Sequence, residues 1–341
     1  MMEDEVVRRR NWMSRAEFLD LLGAANLIPG PNSTELAIHI GHRRNGWSGL
    51  LVAGACFILP AMVIVMALAW AYTSLGKLPQ FQALLYGVKP AIIAVVAQAL
   101  WRLAKTALTK TSLAVLCLSS ATAVFLGLNE LLVLLLAGLV SVSAKHSRFL
   151  LFAATPIGAT SAIAATKSFS LAGLFFFFLK TGSVLYGSGY VLLAFLRADL
   201  VERWHWLTEA QLLDAIAVGQ VTPGPVFTTA TFIGYLLAGV PGALIATAGI
   251  FLPAFFFVAI SGPLIPRIRK SPMAGAFLDG VNVASLALMA VVTVQLARAA
   301  LVDPLTVAIA IVSAVLLVRY HLNSAWLVLG SGLIGMVKSF L

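Results

Sequence analysis

Charge is what this sequence has least of. Asp, Glu, Lys and Arg make up 11% of its 341 residues, where a soluble domain carries about a quarter. With apolar residues at 60%, that scarcity excludes an ordinary water-soluble fold. There are two cysteines, Cys56 and Cys117. Both fall inside apolar blocks, which excludes a disulfide framework and fits packing roles. The histidines, His39, His42, His146, His205 and His321, lie mostly in or near loops without metal-ligand spacing, so no metal site is expected. No Ser-His-Asp set, phosphate loop or nucleotide motif occurs, which supports neither an ATP-driven pump nor a soluble-type enzyme, and no cofactor is expected. The charged residues 1–10 lack the apolar core of a signal peptide.

Long apolar blocks are abundant. Residues 50–72, 171–196 and 240–260 are each long enough to cross a bilayer as a helix, which takes about 20 residues. Strand-like alternation is absent, so the expected fold class is all-α: a polytopic membrane protein surrounded by lipid. The net charge of +10 is spread over short loops rather than gathered on a soluble domain, so it speaks for orientation in a membrane and not for a nucleic-acid partner.

The chain repeats itself. Trp12, Ala16, Leu19, Asp20, Pro29, Gly30 and Pro31 meet Trp206, Ala210, Leu213, Asp214, Pro223, Gly224 and Pro225 at a constant offset. After a one-residue shift, Gly41, Gly46, Gly49, Pro60, Lys77, Pro79 and Gly87 meet Gly234, Gly239, Gly242, Pro253, Lys270, Pro272 and Gly280; Asn129 and Gly138 later meet Asn323 and Gly332. Such a register over so long a span is a duplication. The expected division is a first repeat over 1–144, a linker over 145–170 and a second repeat over 171–341. Residues 3–11 align with 197–205 and nothing precedes them, so the first repeat lacks its first span. The expectation is a start assigned at an internal methionine, the other reading being a truncated chain.

In the second repeat the pattern predicts a span at 171–196, short segments at 208–221 and 226–238, and further spans near 240–262, 274–300, 303–319 and 323–340. Two prolines in three residues stop a helix, and the short segments cannot cross alone. A re-entrant Pro-Gly-Pro hairpin and five crossings are therefore expected in a complete half. An odd number of crossings makes the halves two inverted-topology repeats. Loop charge tests this: sixteen of the 23 Lys and Arg fall on one side and five on the other, with Lys89 and Lys180 inside spans. The richer side is cytoplasmic by the positive-inside rule, which predicts a multi-pass protein of the cytoplasmic (inner) membrane.

The chemistry is expected at the breaks. Helix N-termini expose free amides and partial positive charge, and so attract anions. Pro29, Gly30 and Pro31 are followed by Asn32, Ser33 and Thr34; Pro223, Gly224 and Pro225 by Thr228 and Thr229. Two opposed breaks of this kind would cradle a compact anion, or the prolines would only shape a turn. Lys180, inside an apolar block, either meets that anion or snorkels to the interface. Lys89, before Pro90, snorkels, pairs or serves transport. Glu35 either carries a coupling proton or stabilises its helix start, and Asp20 and Asp214 suit structural roles in first turns. Gly187, Gly189 and Tyr190 suit close helix packing, the other reading being backbone exposed to the substrate.

At these residues the sequence resembles the chromate ion transporter family. The carriers are the two Pro-Gly-Pro breaks, the pairs Leu59-Pro60 and Leu252-Pro253, and the segment 180–190 followed by Trp206-Leu207-Thr208. The resemblance covers nearly the whole chain. It implies export of chromate, with sulfate-like oxyanions as relatives of that substrate, driven by the membrane potential or an ion gradient. Serine at 188 stands where the family commonly has a third glycine. Two other readings stay open: an intramembrane enzyme with Glu35 and Asp279 as its acid–base pair, and a carrier of another small solute. A homodimer is compatible with all three.

Overall fold

The computed structural model describes residues 2–76, 78–145, 168–186, 189–269, 271–320 and 322–339, the side chains of 262–269 excepted. The expectations placed on Lys77, His146, Arg148, Lys167, Gly187, Ser188, Lys270, His321 and most of the 145–170 linker lie outside the described residues, as do those on the side chains of Arg267 and Arg269. Among the described residues every regular element is helical. The chain is an integral membrane protein: among the described residues four helical stretches, Asn32–Leu75, Pro79–Ala107, Val226–Ser261 and Pro272–Ala300, are long and apolar enough to cross a bilayer.

After a π-helical turn at Asp4–Arg9 come α1 (Arg15–Ala25), α2 (Asn32–Leu75), α3 (Pro79–Ala107), α4 (Thr111–Phe125) and α5 (Glu130–Lys145). Then follow α6 (Leu171–Val184), α7 (Leu192–Phe195), α8 (Glu209–Val221), α9 (Thr229–Arg269), α10 (Pro272–Ala300), α11 (Pro304–Arg319) and α12 (Ser324–Lys338). Local chemistry sets many of these boundaries. Ser14 and Thr208 open α1 and α8 with capping boxes closed by Glu17 and Gln211. Asp303 caps α11 with Pro304 in its first turn.

Positions matched by the duplication carry matched backbone. α2 is interrupted at Asn45 (φ −144°, ψ 33°) and Gly46 (φ 53°, ψ −138°), and α9 at Ala238 (φ −150°, ψ 25°) and Gly239 (φ 61°, ψ −149°). Each is a hairpin turn between two helical legs, and only glycine reaches the positive φ without strain. The legs touch through glycines: a Cβ on Gly41 would overlap the Gly49 carbonyl, and one on Gly234 the Gly242 carbonyl. The first leg of α2 also folds back along α1. Arg44 lies 4.0 Å over the Trp12 ring and Arg43 sits 3.8 Å from Glu17, so the two chain ends of this pair lie together with the Pro29–Pro31 break at its tip.

One expected element is corrected. The block 171–196 is not a single span. Lys180 Nζ lies 2.7 Å from Asp199 Oδ2 and the Phe177 ring 5.4 Å from that of Trp204. Nineteen helical residues would separate Lys180 from Asp199 by about 28 Å. The chain therefore reverses between α6 and α7, and α6 runs antiparallel to a return leg made of α7 and a π-helical segment, Leu196–Arg203. The expected five crossings, which counted 171–196 as one, lose that support.

The halves interlock. α11 and α12 pack along α3, while α4 and α5 pack along α10; α2 lies against α9, which α6 flanks. Close contacts repeat with the sequence: a Cβ on Gly87 would overlap the Ser331 carbonyl, and one on Gly280 the Ala137 carbonyl.

Candidate functional site

Three interruptions of helix meet inside the bundle. The first is Asn26–Pro31. Gly30 sits at φ +136° and donates its amide to the Leu185 carbonyl at 2.8 Å. The second is Thr222–Pro225, where Gly224 has φ +153° and a Cβ there would lie 2.5 Å from that of Ala61. The third follows the end of α6, where Leu185 leaves the helix in an extended conformation. Beyond it, Gly189 stands against Val226 and Phe227, and the Tyr190 hydroxyl donates to Gln220 Oε1 at 2.9 Å. The Leu-Pro pairs have a place here too. Ala61 follows Pro60, and Ala254, which follows Pro253, packs with Ile28 beside the first break.

The side chains named from sequence are differently placed. Pro29, Gly30, Pro31, Thr34 and Glu35 are buried, Asn32 is half-buried and Ser33 exposed. Pro225, Thr228 and Thr229 are buried, while Pro223 and Gly224 are exposed. Pro31 gives α2 no side-chain cap, so its first amides stay free of intrahelical partners. Asn32 Nδ2 donates to Asn26 Oδ1 at 2.6 Å. Thr228 and Thr229 donate their hydroxyls to the Pro225 and Val226 carbonyls at 2.9 and 2.8 Å, which leaves those oxygens as acceptors only. The Thr34 hydroxyl, both Glu35 carboxyl oxygens and His39 Nε2 are buried without hydrogen-bond partners. Glu35 and His39 are one turn apart on the same face of α2. No hydrogen bond joins Glu35 to Asp279, the pair an enzyme would need.

Lys180 and Lys89 have protein partners. Lys180 meets Asp199, which also accepts from Arg203; Arg203 in turn binds Glu130 Oε2 at 2.8 Å. Asp199 thus supplies the countercharge expected of an anion, and the network ties the return leg to α5. Lys89 lies 3.3 Å from Asp214 Oδ1, and Tyr72 donates to Asp214 Oδ2 at 3.0 Å. Asp199→Asn is expected to lower thermal stability in detergent more than Lys180→Gln. The first leaves Lys180 without a countercharge and Arg203 with Glu130 alone, whereas the second leaves Asp199 bound to Arg203. Fluorescence-detected size-exclusion chromatography after a heat step reads the order. An unchanged melting point for Asp199→Asn would count against the network.

Residues 1–142 and 172–336 match the chromate transporter family. The chain belongs to that family. The chromate transport protein of Cupriavidus metallidurans is 34% identical over 98% of this chain and 86% of its own length. The probable chromate transport protein of Synechococcus elongatus is 35% identical over 89% of this chain and 80% of its own. The chromate transport protein of Pseudomonas aeruginosa is 32% identical over 98% of this chain and 86% of its own. No solved structure matches the chain. As a member of the chromate transporter family, the protein has transport as its function, and its relatives are named as transport proteins rather than enzymes.

Sequence reasoning found both Pro-Gly-Pro breaks of this transporter but missed the third. Gly189 beside it suits close packing and an exposed backbone alike, and so does not mark a break in the sequence. His39 was passed over because a lone histidine has no spacing to recommend it. In the sequence Arg203 counts only among the loop Lys and Arg, and Asp199 carries no signal of its partner.

Proposed function

We propose that the chain is a secondary transporter that exports chromate, or a related oxyanion such as sulfate, across the cytoplasmic membrane. The two halves act as inverted repeats, and each Pro-Gly-Pro break is the tip of a re-entrant hairpin. The arrangement of the ends supports this orientation. The start of α3 lies with the end of α12, since Lys338 Nζ is 2.7 Å from Tyr86 Oη. The start of α10 lies with the end of α5, since Asp279 and Lys145 line one recess. At about 1.5 Å per residue, the 11 residues of α1 and the 13 of α8 bring each break about 16–20 Å in from its own end.

The observation that carries the reading is the convergence of the three breaks around the uncapped start of α2. Free amides at a helix start bind a compact anion without a full positive charge. The amides of Asn32 and Ser33 and the Thr34 hydroxyl are the donors, with the backbone of Pro29–Pro31 and Pro223–Pro225 shaping the cradle. Thr228 and Thr229 line the opposite wall, and Lys180 acts through Asp199 to hold the turned-back leg. Glu35 carries the coupling proton, with His39 one turn away, since neither of its buried carboxyl oxygens is engaged by another group of the protein.

Labelled chromate uptake into inside-out vesicles tests this. Uptake is expected to saturate, to be competed by sulfate, and to fall at least tenfold when Pro29 and Pro31 are replaced by alanine. No flux of chromate or sulfate from well-folded protein would overturn the oxyanion reading and favour another solute.

A further inference from the structure

The two ends of the bundle differ at positions that the duplication makes equivalent. At the Lys338 end, the Tyr86 hydroxyl donates to Asp303, and Lys338 Nζ lies 2.7 Å from Tyr86 Oη and 2.9 Å from Asp303 Oδ2. These contacts, led by the Tyr86 hydroxyl and followed by Lys338 and the Thr306 amide, hold the Asp303 carboxyl well below the usual carboxylate range. The latch ties α3, α11 and α12 together.

At the Lys145 end, Asp279 on α10 stands where Tyr86 stands on α3, and Lys110 precedes α4 where Asp303 precedes α11. Lys145 ends α5 as Lys338 ends α12. The backbone around them repeats, as the Gly87–Ser331 and Gly280–Ala137 contacts show. The side chains do not. Among the described residues no ion pair or hydrogen bond joins Lys110, Lys145 and Asp279. Instead they line an open recess of about 200 Å3 with Thr109 and Ser141. Thr109 and Asp279 are shared with a second recess of about 280 Å3, whose walls include Asn26, Asn32 and Asn282. The pair forms a polar way from the end of the bundle to the start of α2.

We propose that Lys110, Lys145 and Asp279 form a gated entry site for the transported oxyanion. In the open form the two ammonium groups receive the anion and pass it along the recess to the Asn32 amide. In the closed form Asp279 takes the anion's place on Lys110 and shuts the recess, as Asp303 holds Tyr86 and Lys338 at the other end. Substrate and gate compete for one cation, so the recess closes behind an anion that has moved inward. The charges are also exchanged between the ends: the residue before the short helix is a lysine here and an aspartate there. The two gates therefore share backbone geometry without sharing ligand preference. The anion collects at the Lys110 end, where two cations outnumber one carboxylate, and is released past the latched end, where Asp303 opposes rebinding.

This inference rests on the oxyanion reading of the first break, and its test separates the two. With Cys56 and Cys117 replaced by serine, Lys110→Cys and Asp279→Cys are combined and oxidised in proteoliposomes. A disulfide is expected to form, to arrest chromate flux until reductant is added, and to form several-fold more slowly with millimolar sulfate present. A second variant pair guards against a cysteine chain that folds badly. Lys110→Asp alone should raise KM for chromate at least tenfold, and adding Asp279→Lys should restore closure and much of the turnover. A disulfide that does not form, or forms without arresting flux, overturns the gate, as does a charge exchange with no recovery over the single change. Absence of chromate and sulfate flux in the unaltered, well-folded protein overturns the oxyanion reading instead.

Discussion

Gly30→Ala and Gly224→Ala are each expected to reduce chromate flux by more than tenfold while the protein still reaches the membrane. Both glycines sit at positive φ, +136° and +153°, where an L side chain adds strain of about 1–3 kcal/mol. Space makes it worse. A Cβ at Gly30 would overlap the Glu35 carboxyl, and one at Gly224 would come 2.5 Å from the Ala61 Cβ. At Gly30 the Glu35 side chain would swing aside, and at both positions the chain would relieve the backbone strain by moving the break, which shifts the first amides of the following helix. A misplacement of about 1 Å at a site that works by orientation is enough to cost two orders of magnitude. Gly127→Ala is the comparison: φ is +85° but nothing lies within 4 Å, so only backbone strain applies and flux should survive. Flux per folded transporter, normalised by size-exclusion chromatography, is the measurement. Near-normal flux in Gly30→Ala would detach the break from the site.

Glu35→Gln is expected to uncouple. Glutamine keeps the shape and the buried polarity of the protonated acid but cannot give up a proton. Exchange of labelled for unlabelled chromate across the membrane should persist, while acceleration by an imposed proton gradient should fall at least tenfold. His39→Ala should slow the gradient-driven mode without abolishing it. A Glu35→Gln protein that responds to the gradient like the parent would move the coupling role elsewhere.

How much of this was legible in the sequence depends on range. The Pro-Gly-Pro breaks could be read because proline acts on the residue that bears it: α1 ends at Ala25 and α2 starts at Asn32. The boundaries of α10, α11 and α12 were close for the same reason, with Ser271, Asp303 and Asn323 capping within one turn. The reversal between α6 and α7 was hidden because an apolar stretch has the same composition whether it runs straight or folds back. The ion pairs were hidden by distance along the chain: Arg203 reaches Glu130 across 73 residues, and Tyr72 reaches Asp214 across 142. A charge in an apolar block says that a partner exists, not which one. So Lys180 read as open to a substrate when Asp199 was the group it met.

The interlocked halves also impose an order on biosynthesis. α3 leaves the ribosome about 200 residues before α11 and α12, the helices that flank it; at about 5–20 residues per second that is about 10–40 seconds. For part of that wait Lys89 stands in a helix whose countercharge, Asp214, has not been made, at a cost of about 2.5–3.5 kcal/mol in lipid. The first half must therefore be held by the insertion machinery, or sit shallow with Lys89 reaching for the interface, until the second half threads past it. A nascent chain stalled after α5 would be a substrate for membrane proteolysis rather than half a transporter.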